Sequence, residues 1–184
     1  MVNLRWIPAA TLLLLQAGHA DVRSCVCDLD RPETLAAREC SLCKAAEAQP
    51  ATPEFFALKD ANPNKPHRLL VLPRFHGRNP QDLADFTPEK RAAYWTFAID
   101  KAHELWGDSW GLAINSLERR TQCHAHIHIG KLRDGYENDR FVVVDGPASI
   151  PLPKDGDGLL IHPIPGGKFH AHHGDDSPEL SLDK

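Results

Sequence analysis

Between Gln122 and Leu132 the chain reads QCHAHIHIGKL, with His124, His126 and His128 at every second position and Cys123, Ala125, Ile127 and Ile129 between them. A period of two is that of an extended strand, whose successive side chains leave on opposite faces. The stretch therefore specifies a half-buried strand that turns an apolar face to a core and a row of imidazoles the other way. At about 3.3 Å rise per residue, same-face neighbours stand close enough to share an ion or a small anion. Two chemistries suit such a row. One is a metal site with an activated water, although the stretch lacks the carboxylate that usually completes it. The other is an imidazole that attacks phosphorus, which needs no separate base because the ring is substantially neutral at pH 7.

The surrounding sequence supplies partners for that strand. HRLLVLP, bounded by Pro66 and Pro73, reads as a buried strand. WGLAINS reads as another, ending at Asn115, and LERRTQ as the turn before the histidines. RFVVVDG is a further strand, with DGYEND before it as a hairpin turn. Thr87 and Pro88 are an N-cap and a first-turn proline, so the spacing predicts a long helix that Gly107 stops. Ala93, Phe97, Ala98, Lys101 and Leu105 are its expected inward face. FHGRNPQDLADF is expected as a loop.

At 184 residues the chain is one domain with a real core. Residues 1–20 place Arg5 before an apolar run and end in small residues, the pattern of a secretory signal cleaved after Ala20, so the protein is expected to be exported, to a periplasm or beyond. A Cys-rich segment, 21–54, follows. Its Cys25, Cys27, Cys40 and Cys43 suit either two disulfides or, through the CSLC spacing, a metal. Cys123, on the apolar face of the histidine strand, is expected as a buried, inert thiol. The chain carries 21 Lys and Arg against 25 Asp and Glu, and loss of the leader removes one of the bases. That balance, with no basic run, excludes nucleic acid as a partner but not a small phosphorylated ligand. Residues 147–184, rich in Pro, Gly and charge, are expected as a partly disordered extension, with FHAHHGDD as a solvated tail.

HAHIHIG resembles the signature of the histidine-triad superfamily, three histidines alternating with apolar residues. With its flanks, LAINSLERRTQCHAHIHI resembles the CDP-diacylglycerol pyrophosphatase branch, as do FALKDANP and LLVLP upstream; the likeness runs from about Phe55 to Leu132 and defines a catalytic core over 55–146. It implies an α+β fold, an antiparallel sheet with the long helix packed on one face. It also implies that His126 is the nucleophile and that His128 contacts the phosphates and assists the leaving group. Asn115, Gln122 and Arg120 would orient the phosphate.

Zinc-containing members of the superfamily draw ligands from a CxxC, from a histidine after the LVxPxxH strand and from the first triad histidine. Here that set is Cys40, Cys43, His76 and His124, a closed structural zinc site. No organic cofactor is implied. The expected substrate is a nucleotide phosphoanhydride, CDP-diacylglycerol at a membrane surface first and soluble nucleotide conjugates second. A non-catalytic zinc-binding module is the reading from another class; dimers are common in the superfamily, so the resemblance allows a homodimer without fixing the oligomeric state. The branch is longer and membrane-associated, and Cys25 and Cys27 have no counterpart in it.

Overall fold

The computed structural model describes residues 22–154 and 156–184, so the expected signal segment lies outside the described residues. Seven strands form one antiparallel sheet. They are β1 (Phe55–Lys59), β2 (Leu69–Pro73), β3 (Trp110–Ile114), β4 (Ile127–Lys131), β5 (Phe141–Val144), β6 (Leu159–Ile164) and β7 (Lys168–His172). Their order across the sheet is β1-β2-β4-β3-β6-β7-β5. Two α-helices accompany it, the short α1 (Ser41–Glu47) and the long α2 (Pro88–Trp106), and the protein is α+β.

α2 begins and ends on the residues that its sequence marks. The Thr87 hydroxyl accepts from the Lys90 N–H at 3.3 Å, and Gly107, at φ 55°, donates its N–H to the His103 carbonyl. Its inward face differs from the expected one. Tyr94, Trp95, Ala98 and Ala102 are fully buried, whereas Ala93 and Leu105 are exposed. The two large aromatics set the rotation of the helix: Tyr94 stacks on Phe55 at 5.2 Å and donates to the Val71 carbonyl. This face packs on Val71, Leu112, Ile127, Ile129 and Ile161 of the sheet.

The opposite face carries the polar row. His128, Ala113, Leu160 and His172 are successive cross-strand partners on β4, β3, β6 and β7. Residues after Gly146, expected as a disordered extension, supply β6 and β7, so the sheet does not stop there. Pro163 suppresses the strand signal, yet it lies past the part of β6 that pairs with β3 and interrupts no ladder there. Gly166 and Gly167, at φ 90° and 75°, turn the β6–β7 hairpin. DGYEND does not close a hairpin either, because β5 crosses to pair with β7 instead of β4.

The segment that follows β7 returns over this face. Leu182 is fully buried above Gly111 and Gly130, which are paired across β3 and β4. A Cβ on Gly111 would stand 2.6 Å from Leu182 Cδ2, so glycine here makes the groove that the leucine fills. Arg68, also buried, fixes the same segment by donating to the carbonyls of Leu182 at 2.5 Å and Asp183 at 2.8 Å. Leu182→Ala is expected to lower the unfolding free energy by about 2–5 kcal/mol in urea titration. Gly111→Val should destabilise through the same contact, and its cost should shrink in a Leu182→Ala background.

Candidate functional site

The histidine stretch is strand only from Ile127 onwards; Cys123 to His126 approach it as irregular chain. Their backbone groups are satisfied from outside the sheet. The Cys123 N–H donates to the Glu39 carbonyl and its carbonyl accepts from the Gln81 N–H, both at 2.8 Å. Gln81, 2 % exposed, also accepts from the Ala125 N–H through Oε1 and donates to the Phe75 carbonyl through Nε2. Arg120 completes the clamp, its Nη2 directed at the carbonyls of Gln81, Gln122 and Cys123 at 2.8, 3.3 and 3.2 Å. Nothing in the expected motif singled out Gln81. Cys123 is no free thiol but is disulfide-bonded to Cys25, which corrects the expectation of an inert cysteine.

His126 and His128 form one pair, with ring centroids 4.9 Å apart, whereas His124 leaves them and lies 4.7 Å from His76. His126 Nδ1 is 2.9 Å from the His124 carbonyl. A carbonyl only accepts, so Nδ1 carries the proton and Nε2 keeps its lone pair. Burial, then the neighbouring His128 and Arg120, holds the His126 pKa well below that of ordinary histidine, so the ring is neutral at pH 7.

His126 lines a cleft of about 590 Å³ together with Asn115, Ser116, Arg120, Lys154 and Asp157. Arg78 and Asp82 lie on the same wall, and Leu117 and Leu152, both exposed apolar side chains, lie there too. The Ser116 hydroxyl and Arg120 Nε are buried without a hydrogen-bond partner among the described residues. A buried donor without a partner is costly, and here two such groups belong to residues that line one cleft. Asn115 is partly engaged, its Oδ1 accepting from the Glu179 N–H at 3.3 Å. Arg119 turns out to solvent and pairs with Asp176.

His128 is not on the cleft wall. It sits behind His126, its Nδ1 3.4 Å from Glu179 Oε2. Glu179 also meets Lys65 at 2.6 Å and Arg68 at 3.1 Å. Burial pushes its carboxyl up, but His128, Lys65 and Arg68 more than reverse this and bring it down to about 2. Burial lowers His128 to about 4 against the pull of Glu179, so the pair holds a neutral imidazole beside a carboxylate at pH 7. Glu179 lies fifty-one residues past His128 in the segment expected to be disordered, where no motif marked it.

Gln122 is engaged away from the cleft. Its Oε1 accepts from Ser41 Oγ at 2.8 Å and the Leu42 N–H at 3.3 Å, and its Nε2 donates to the Arg38 carbonyl, so it caps the start of α1. Cys40 is disulfide-bonded to Cys27 and has no thiolate to offer, which removes it from the expected four-ligand metal set. The other three remain together: Cys43, His76 and His124 each present a donor atom within 4.8 Å of the others. His124 Nε2 donates to the Pro73 carbonyl at 2.9 Å and His76 Nε2 to Glu47 at 2.8 Å, so both rings keep the lone pair on Nδ1. Burial lowers the His124 pKa to about 3 and raises the Cys43 thiol to about 11, so a cation is what would draw the thiolate out. The donors thus fit a three-ligand Cys/His site, not the closed four-ligand one.

Compared with protein-family models and with curated proteins, the chain matches none of them.

The buried His128–Glu179 pair gives stability a defined pH dependence. The unfolded histidine takes up its proton near pH 6.5, whereas folded His128 resists to about 4. The unfolded state therefore binds more protons, and stability present above pH 6.5 is lost as pH falls through that window, about 3 kcal/mol from His128 alone by pH 4. Glu179, lowered from 4.5 to about 2, adds loss in the same direction below 4.5. Urea unfolding at intervals from pH 7.5 to 4 should show the decline beginning near 6.5; a flat profile down to 4.5 would contradict it.

Proposed function

We propose that the protein is an exported hydrolase of the histidine-triad type, which cleaves a nucleotide phosphoanhydride through a nucleotidyl-histidine intermediate. The observation that carries this reading is His126: a neutral imidazole, its proton fixed on Nδ1 by a backbone carbonyl, on the wall of a cleft with cationic and unpartnered donor groups. Nε2 attacks the α-phosphorus, a P–N bond forms, and the P–O bond to the leaving phosphate breaks. Water then attacks the same phosphorus, returns the electron pair to Nε2 and loses its proton to solvent.

Developing charge on the phosphoryl oxygens meets donors already in place. Asn115, Ser116 and Arg120 line the cleft and supply them, with the Ser116 hydroxyl and Arg120 Nε turning toward the ligand from their unpartnered positions, and Lys154 adds positive charge. His128, held by Glu179, is a positioning residue that keeps His126 in its rotamer and its neutral form.

CDP-diacylglycerol, giving CMP and phosphatidate, is the preferred substrate over soluble nucleotide conjugates. Exposed Leu117 and Leu152 beside the charged and polar groups of the cleft suit a substrate with a nucleotide head and an apolar tail. Cys43, His76 and His124 would hold a zinc ion whose part is structural, tying the α1 segment to the triad approach. The two disulfides are compatible with an oxidising compartment, and no helix among the described residues is long and apolar enough to cross a membrane.

Turnover of CDP-diacylglycerol and a panel of nucleotide sugars, followed by mass spectrometry of quenched protein, tests the reading. A nucleotidyl adduct on His126 is expected, and His126→Ala should lose roughly 10³-fold or more of the rate while remaining folded. Turnover of nucleotide sugars alone would move the substrate to soluble conjugates. No turnover and no adduct with any of them would leave a binding module in place of an enzyme.

A further inference from the structure

The β6–β7 hairpin carries a second group of histidines that the proposed reaction does not use. His162 and His170 are direct cross-strand partners, and His172 follows on the same face of β7. Glu137 reaches them from the loop between β4 and β5. One donor atom from each of the four lies within 4.8 Å of the others. His162 is 5 % and His172 2 % exposed, so this is a built cluster at the sheet's end and not the solvated tail that its sequence suggests.

The protonation of the cluster is constrained. His162 Nδ1 is 3.1 Å from the Pro163 carbonyl, which only accepts, so the proton is on Nδ1 and the lone pair on Nε2. That Nε2 faces His172 Nε2 at 2.9 Å and the Glu137 carboxylate at 3.4 Å. Of the two facing Nε2 atoms the one on His172 carries a proton, and the His162 lone pair is still left facing the Glu137 carboxylate, an arrangement that a positive ion among them would relieve. A proton on His172 Nε2 serves one contact only. A four-coordinate ion with bonds of about 2.0–2.1 Å has neighbouring ligand atoms about 3.3 Å apart, close to the 2.9 and 3.4 Å of these two contacts.

The rings are also held in place. Phe141 stacks on His170 at 3.9 Å with the planes 22° apart, and it lies opposite His172 in the β5–β7 register. His170 Nδ1 is buried and has no hydrogen-bond partner among the described residues.

We propose that Glu137, His162, His170 and His172 form a site for one divalent transition-metal ion, zinc by its donor set, that is separate from the Cys43 group. Three neutral imidazoles and one carboxylate suit a borderline ion, and four protein donors suit a closed structural site. On binding, the proton on His172 moves from Nε2 to Nδ1 and both Nε2 atoms become ligands. The ion would tie the β4–β5 loop to the hairpin at the end of the sheet. By register His172 lies three strand spacings, about 14 Å, from His128, and none of the four residues lines the cleft.

Equilibrium dialysis of untagged Cys43→Ser protein against zinc alone tests the site, because the thiol group can then no longer compete. One ion per chain is expected, with affinity reduced roughly 10- to 100-fold by Glu137→Gln and by at least as much by His170→Gln. The proposal fails if the Cys43→Ser protein retains no zinc, or if both further variants bind as tightly as their parent. Should Cys43→Ser not fold, cobalt added to the wild-type chain reads the same question. Tetrahedral d–d absorption that His170→Gln removes, with any thiolate charge-transfer band left unchanged, supports the site; identical spectra for the two proteins overturn it.

Discussion

A buried guanidinium governs the approach to the central strand. Arg120 gathers the carbonyls of Gln122 and Cys123, which would otherwise extend the β4 ladder or seek water, together with that of Gln81, and the Gln81 side chain takes the Ala125 N–H. Four residues of a stretch that alternates like a strand are thereby kept out of the sheet. Released from ladder geometry, the chain can turn His124 to one side of Pro73 while His126 faces the cleft. The same positive charge, close by and poorly solvated, helps to keep both rings neutral. Three imidazoles of identical chemistry are thus separated by backbone hydrogen bonding before any ligand arrives.

What sequence reading captured follows the range of the interactions. The caps of α2 and the core-facing positions of β4 depend on neighbours within a few residues, and both are where local chemistry puts them. The inward face of α2 was misplaced by about one residue because the burial of Tyr94 and Trp95 is decided by Phe55 and Val71, which lie far off in the chain. Cys40 offered a plausible ligand by spacing, but pairing with Cys27 depends on how the loop folds back and no spacing encodes that. Gln122 matched its motif position, yet a helix start eighty residues upstream takes its amide.

The C-terminal region is the larger omission, and its cause is physical. Its prolines and glycines are read one by one as breakers, although Pro163 lies past its β3 pairing and Gly166 and Gly167 form the turn that makes the hairpin. Glu179 has no local signature at all. Its importance arises from Leu182 filling the groove between two glycines and from Arg68 gripping the adjoining carbonyls, which together lower a carboxylate onto His128. Lys65 and Arg68 then balance a charge that would otherwise be expensive to bury.

That roof has a bearing on the order in which the molecule matures. Chains emerge from synthesis N-terminus first, and domains generally begin to fold as they do so. Every strand of this sheet, the cleft wall and His124, His126 and His128 precede residue 178, whereas the cover of His128 follows it. A sheet that pairs before these residues are made leaves the His128 face open to water on one side. The cover from Glu179 to Leu182 is thus made after every strand it lies on, and His128 stays wet until it closes.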